Sequence, residues 1–239
     1  MKLEVEYTIN EGLSLWDGRC GILLDYIFDN EVKAWSDMPD ICRHRMETGT
    51  GEFGRNHFLL FTHAHCDHYS KAYVAEYCSI YTPRIYGLGV PESNLPVMRP
   101  EPGVAVLEVE GYRILMFQTK HQGNGPFAEV ANSILCIGSG NDWYVSLGDS
   151  VLSRKLLTEM QFYGVTEPEA VFSNLYQIYP ESQRNIVKAM NARHNYCIHF
   201  PFRQNDEFGI CKQITRFIEK SDDPFLKKMM VPEPMSRIL

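Results

Sequence analysis

The chain has 239 residues, 44% of them apolar, with thirteen Phe, thirteen Tyr and three Trp, which is ample material for a packed globular core. A formal net charge of −7 argues against the broad phosphate-tracking surface that long nucleic acids need, and no apolar run approaches the ~20 residues that span a bilayer. Seven cysteines without a C-x-x-C pair argue against a disulfide framework and against an all-cysteine zinc site.

In chain order, the N-terminal residues alternate like a strand rather than forming the continuous apolar block of a signal peptide, so the expected compartment is the cytoplasm. Period-2 or continuous apolar runs predict strands over 3–7, 21–28, 58–62, 104–109, 112–119, 133–137, 143–147, 170–173 and 196–200. Helical spacing begins after Ser70 and recurs over 151–160, 181–193 and 206–220, where Ile210, Ile214, Phe217 and Ile218 make a stripe for core packing. Gly138 to Asn141 reads as a hairpin turn, and Gly111 marks another. The stretch 34–56 reads as an irregular insertion and the Pro-rich tail, 221–239, as a strap or mobile end on a single domain spanning 1–239. Strands interrupted by helices imply a mixed α/β layer structure.

The densest chemistry lies in His63-Ala64-His65-Cys66-Asp67-His68, directly after the apolar run His57 to Thr62. Four imidazole and carboxylate ligands in six residues at a strand end read as a metal site. On an extended backbone His63 and His65 aim at one cation, and Asp67 and His68 reach a second position once the chain turns. Such donors suit zinc, iron or manganese. Three further candidates stand at predicted strand ends: His121, Asp149 in the turn Leu147-Gly148-Asp149-Ser150, and His199. A rigid sheet presents ligands accurately from such positions.

The ordered set H-x-H-x-D-H, His, Gly-Asp, His resembles the metallo-β-lactamase superfamily from about residue 3 to residue 220. The resemblance implies a four-layer αββα sandwich, with Asp25 in an opening hairpin. It implies two divalent metal ions, zinc first, with manganese or iron as alternatives. His63, His65 and His121 would hold one, Asp67, His68 and His199 the other, and Asp149 would bridge them. After His121 the sequence Gln122-Gly123-Asn124-Gly125-Pro126 lacks the His-Thr-Pro-Gly run of glyoxalase II-like thioesterases. The Ser133 to Ile137 strand, the Gly-Asp turn and His199-Phe200 look closer to the intracellular phosphodiesterase and sugar-lactonase branches. No long arm for grasping transfer RNA is present.

The expected function is a binuclear metal-dependent hydrolase using a metal-bridging hydroxide on a small anionic phosphodiester or lactone, with Asp67, besides ligating, accepting a hydrogen bond from that hydroxide. Lys120 and Arg203 are the candidates for meeting an anionic group, and Arg43-His44-Arg45 is a basic island in the insertion. Ser150 is expected to cap the next helix, Cys66 to pack, and His194 to sit as a charge at a helix end. A metal-binding sensor or scaffold without turnover is one alternative. Another is a mononuclear iron oxygenase for a sulfur substrate, built on His63, His65, His121 and Asp149. The partner is a small anionic molecule, with neither membrane nor nucleic acid expected and the oligomeric state open.

Overall fold

A computed structural model describes residues 2–29, 35–95 and 103–239. They form two compact units: one takes in 2–29, 35–95, 200–210 and 233–239, the other 103–199 and 211–232.

In the first unit β1 (Glu4–Tyr7), β2 (Leu13–Trp16) and β3 (Gly21–Leu24) run antiparallel, and β4 (His57–Phe61) and β5 (Ile85–Gly87) continue the sheet in parallel with β3. β1 alternates exposed and buried residues, as a half-solvated antiparallel strand should, whereas β3 is buried at every position. β3 stops at Leu24, short of the expected 28, because Asp25 turns into the left-handed region at φ 45°. The segment expected to be an irregular insertion carries a nine-residue helix, α1 (Asp40–Thr48), closed by Gly49 at φ 61° and succeeded by a 3-10 turn over Gly51–Gly54. Position 34 lies outside the described residues. α1 buries Cys42 and Met46 in the same core as Val74 and Tyr77 of α2 (Lys71–Ile80), together with Phe53 and Phe61. Ser70 caps α2 by accepting from the Tyr73 amide. The two arginines of the basic island are paired with carboxylates: Arg43 meets Glu47 at 3.1 Å and Glu76 at 3.7 Å, and Arg45 meets Glu52 at 3.1 Å.

The second unit is built on the sheet β6 (Val104–Val109), β7 (Tyr112–Thr119), β8 (Asn132–Ser139), β9 (Asp142–Ser146), β10 (Ala170–Ser173) and β11 (His194–Cys197). β6 to β9 form an antiparallel meander, and β10 and β11 join β9 in parallel. The β6–β7 turn uses Glu110 and Gly111, both at positive φ, as a tight two-residue hairpin requires. α3 (Arg154–Phe162) starts three residues later than expected because Ser153 caps it, accepting from the Leu156 amide. Ser150 does not cap; it is fully buried and joins Thr119 Oγ1 at 2.7 Å and Asn132 Nδ2 at 2.9 Å. α4 (Leu175–Ile178) and α5 (Glu181–Ala189) lead into β11, which lies two residues upstream of the expected run. His194 is therefore the first residue of a strand, 3.7 Å from Glu169, and not a helix-end charge. In α6 (Ile210–Lys220) Ile214 is fully buried while Phe217 is partly covered, 4.5 Å centroid to centroid from Tyr179. The tail returns as a strap: β12 (Ser236–Arg237) pairs with β1 of the first unit. Among the described residues no helix is long and apolar enough to cross a membrane.

Candidate metal centre

Each unit carries its own ligand set, and both sets stand at the carboxyl ends of strands, where open α/β sheets place their sites.

In the first unit β3 and β4 are parallel with Leu24 opposite Leu60, so the residues just beyond them leave the sheet side by side. The Asp25 amide donates to Leu60 O at 2.9 Å, and its buried carboxylate accepts from the Thr62 amide at 2.8 Å and from the Thr62 hydroxyl at 2.6 Å. The same carboxylate lies 3.0 Å from His68 Nδ1. These contacts set the tautomers. His68 donates from Nδ1 to Asp25, and the Thr62 oxygen, having given its proton to Asp25, accepts from His63 Nδ1 at 3.0 Å. Both rings then keep a lone pair on Nε2, the arrangement by which a carboxylate or hydroxyl orients a metal-binding histidine. His63 Nε2 and His65 Nδ1 stand 3.1 Å apart, close to the roughly 3.3 Å between two nitrogens of one tetrahedral zinc. Asp67 Oδ2 lies 3.8 Å from His68 Nε2.

Burial acts to lower the His68 pKa, but Asp67, Asp25 and the bond to Asp25 oppose it, with a further contribution from Glu11, and the ring is pushed up to about 9. The surroundings of His68 favour positive charge. A divalent cation supplies it as readily as a proton does.

In the second unit β7, β9, β10 and β11 point the same way, so His121, Asp149, Asn174 and His199 all stand just past strand ends at one edge of the sheet. Gly148 at φ 48° turns the chain out of β9 and delivers Asp149. The Asp149 carboxylate divides its oxygens: Oδ2 is 3.3 Å from His121 Nε2 and Oδ1 is 3.3 Å from His199 Nδ1. Asn174 donates to Oδ1 at 2.6 Å and to Gly148 O at 3.2 Å, fixing the carboxylate from behind. His121 Nδ1 is engaged by the Gln122 carbonyl, which leaves Nε2 as the ligating nitrogen. His199 is held at φ 71°, an uncommon conformation for a side-chain-bearing residue and one that tends to occur at functional sites.

Imidazole and carboxylate donors with oriented rings, nearly all buried, fit zinc, manganese or iron in both sets. Sequence reasoning passed over Thr62 and Asn174, gave Asp25 no task, and missed Glu11, which is 1% exposed and offers an oxygen within 4.8 Å of a His68 nitrogen. Asp25 had a signal in principle, since it closes an uninterrupted apolar run as His63 does; Asn174 had only its place after a predicted strand. Cys66 is half-buried and Lys120 exposed, while the largely exposed Arg203 is engaged by Glu233 at 3.0 Å.

No family model and no curated protein matches the sequence. Solved structures do. The metallo-β-lactamase fold protein YhfI from Bacillus subtilis superimposes with a TM-score of 0.67 at 12% identity, over 100% of both chains. A possible metal-dependent hydrolase from Veillonella parvula DSM 2008 gives 0.62 at 13% identity, over 100% of this chain and 99% of the other. CmlA, a diiron β-hydroxylase from Streptomyces venezuelae, gives 0.58 at 12% identity, over 99% of this chain and 54% of the other. At such identities likeness speaks for fold alone, and with the two six-stranded mixed sheets it shows that the chain has the metallo-β-lactamase fold.

Proposed function

We propose that the chain is a binuclear metal-dependent hydrolase acting on a small anionic phosphodiester or lactone. The observation that carries the reading is Asp149, whose two oxygens face two different histidines while Asn174 holds the carboxylate in place. A carboxylate split in this way suits a bridge between two cations better than a ligand to one. In this reading His63, His65 and His121 hold one cation, Asp67, His68 and His199 the other, and Asp149 both.

Two divalent cations, when bound, lower the pKa of a water and withdraw charge from the attacked and departing oxygens. The chain's residues do the rest. Asp67 accepts the proton of the attacking water and aims its lone pair, while Asp25 and Thr62 keep His68 and His63 in their ligating tautomers. The water oxygen bonds to phosphorus or to the acyl carbon, the ester P–O or C–O bond breaks, and the departing oxygen takes up a proton. Lys120, exposed and next to His121 in the chain, is the better placed of the two expected cations to meet an anionic group, since Arg203 is engaged by Glu233. The net charge of −7 supports a small substrate over folded RNA.

A panel of an aryl phosphodiester, cyclic nucleotides, sugar-phosphate lactones, a glutathione thioester and a chromogenic cephalosporin, run with zinc and manganese forms, tests the reading. Turnover of an anionic ester or lactone, abolished by chelator and restored by metal, is expected. Preference for the thioester or the cephalosporin would overturn the substrate class. The likeness to a diiron hydroxylase favours one second reading, an iron oxygenase. Oxygen uptake by the iron form without turnover of any ester would select it.

A further inference from the structure

Glu11 lies in the turn between β1 and β2, far in sequence from the histidine motif, and its side chain is buried, where a carboxylate requires pairing and hydrogen bonding. The turn that carries it is built rigidly. The Thr8 amide donates to Gly12 O at 2.9 Å and the Gly12 amide to Ile9 O at 2.8 Å, closing the loop on itself. Asn10, at φ 51°, donates from Nδ2 to Ser36 O at 2.8 Å and accepts from the Ser36 amide at 3.2 Å, and the Tyr7 hydroxyl donates to Asn10 O at 3.0 Å. Gly12 comes so near the Asp25 backbone that a Cβ there would sit 3.3 Å from Asp25 O. Glu11 is thereby fixed beside the residue that orients His68.

Around that one imidazole stand Asp25 at 3.0 Å, Asp67 at 3.8 Å and Glu11, with an oxygen within 4.8 Å of a His68 nitrogen. Asp25 faces Nδ1 and serves to orient the ring, so it is not available as a ligand on the Nε2 side. Glu11 and Asp67 remain. Two buried carboxylates with one imidazole form a donor set that a divalent cation balances, and a carboxylate anchored on a fixed turn is positioned as a preorganised ligand requires.

We propose that Glu11 is a ligand to the cation held by His68, a carboxylate supplied from the β1–β2 turn in addition to Asp67. The proposal rests on the binuclear reading and extends its ligand set.

The test compares wild type, Glu11→Gln and Glu11→Asp by competition for zinc and cobalt against a chromophoric chelator, and by thermal melting with and without metal. Glu11→Gln keeps the shape and removes the charge. One of the two metal equivalents should bind about tenfold or more weakly, with the other unchanged, and Glu11→Asp should fall between Glu11→Gln and wild type. In the metal-free state Glu11→Gln should melt at or above wild type, because a buried charge is gone, and it should gain less on adding zinc. A structural role would lower both melts together, and metal-free Glu11→Gln that melts well below wild type or does not fold would overturn the proposal. So would unchanged affinity at both equivalents. Wild type that binds no metal would fail the binuclear reading itself, a different result from wild type and Glu11→Gln binding equally well.

Discussion

At the scale of single residues, neighbours in sequence have separate tasks. Asp67 and Cys66 are adjacent, yet in the proposed reading Asp67 would receive the water's proton, while the half-buried thiol of Cys66 would take no part in the donor set. Asp67→Asn preserves volume and removes that base, so kcat should fall by about 10²–10⁴ in a steady-state assay of the metal-loaded enzyme, while Cys66→Ala should keep most of the activity. Alkylation of Cys66 that stops turnover without releasing metal would contradict the assignment. The four candidate ligands from His63 to His68 were legible because they crowd into six residues after an apolar strand. Asp25 showed only its place at the end of an apolar run, and Glu11 showed nothing, because an isolated carboxylate gains a proposed role only when strand pairing brings Leu24 opposite Leu60 or when a turn closes between Thr8 and Gly12.

At the scale of elements, strand direction explains why scattered residues act together. β7, β9, β10 and β11 end at one edge, and each is succeeded by a candidate ligand or by the residue that holds one in place. Asn174 shows how element and site are coupled. Its Oδ1 accepts from the Tyr176 and Gln177 amides and caps α4, while its Nδ2 restrains Asp149. Asn174→Ser keeps a capping oxygen and loses the amide donor, so melting of the metal-free protein should change little while metal affinity falls about 10–100-fold by chelator competition. Equal affinity in both proteins would remove Asn174 from the site. Ser153→Ala, which removes the α3 cap alone, should cost about 1 kcal/mol by denaturant melting and leave metal binding intact. Strands were readable from apolar runs, since β6, β7 and β10 match the expected spans residue for residue. Helix starts were readable at α2 and α5, which begin at Lys71 and Glu181 as expected, but not at α3 and α6. The cap of α3 falls on Ser153 rather than Ser150 because Ser150 is already used by Thr119 and Asn132, a competition that only tertiary pairing reveals. α1 escaped notice because its apolar residues are just Ile41, Cys42 and Met46 among charged neighbours, too sparse to show a helical period, and only the last two are buried.

At the scale of the whole molecule, the seven ligands of the binuclear reading are distributed over two compact units, four in one and three in the other, and Glu11 would add a fifth to the first. A cation that binds only the folded chain stabilises it. Zinc at a hundred times its dissociation constant contributes about 2.7 kcal/mol per site, and for a chain of this length each kcal/mol raises Tm by roughly 2–4 °C. Chelator should therefore lower Tm by about 5 °C or more in one cooperative transition. The most direct measurement is the number of metal equivalents retained after equilibrium dialysis of the metal-free chain against zinc or manganese, read by elemental analysis for wild type, His65→Ala and Asp149→Ala. Wild type should hold close to two, His65→Ala should weaken one equivalent, and Asp149→Ala should weaken both. A wild-type chain that holds none, or an Asp149→Ala chain that holds as much metal as wild type, would contradict a centre bridged by Asp149.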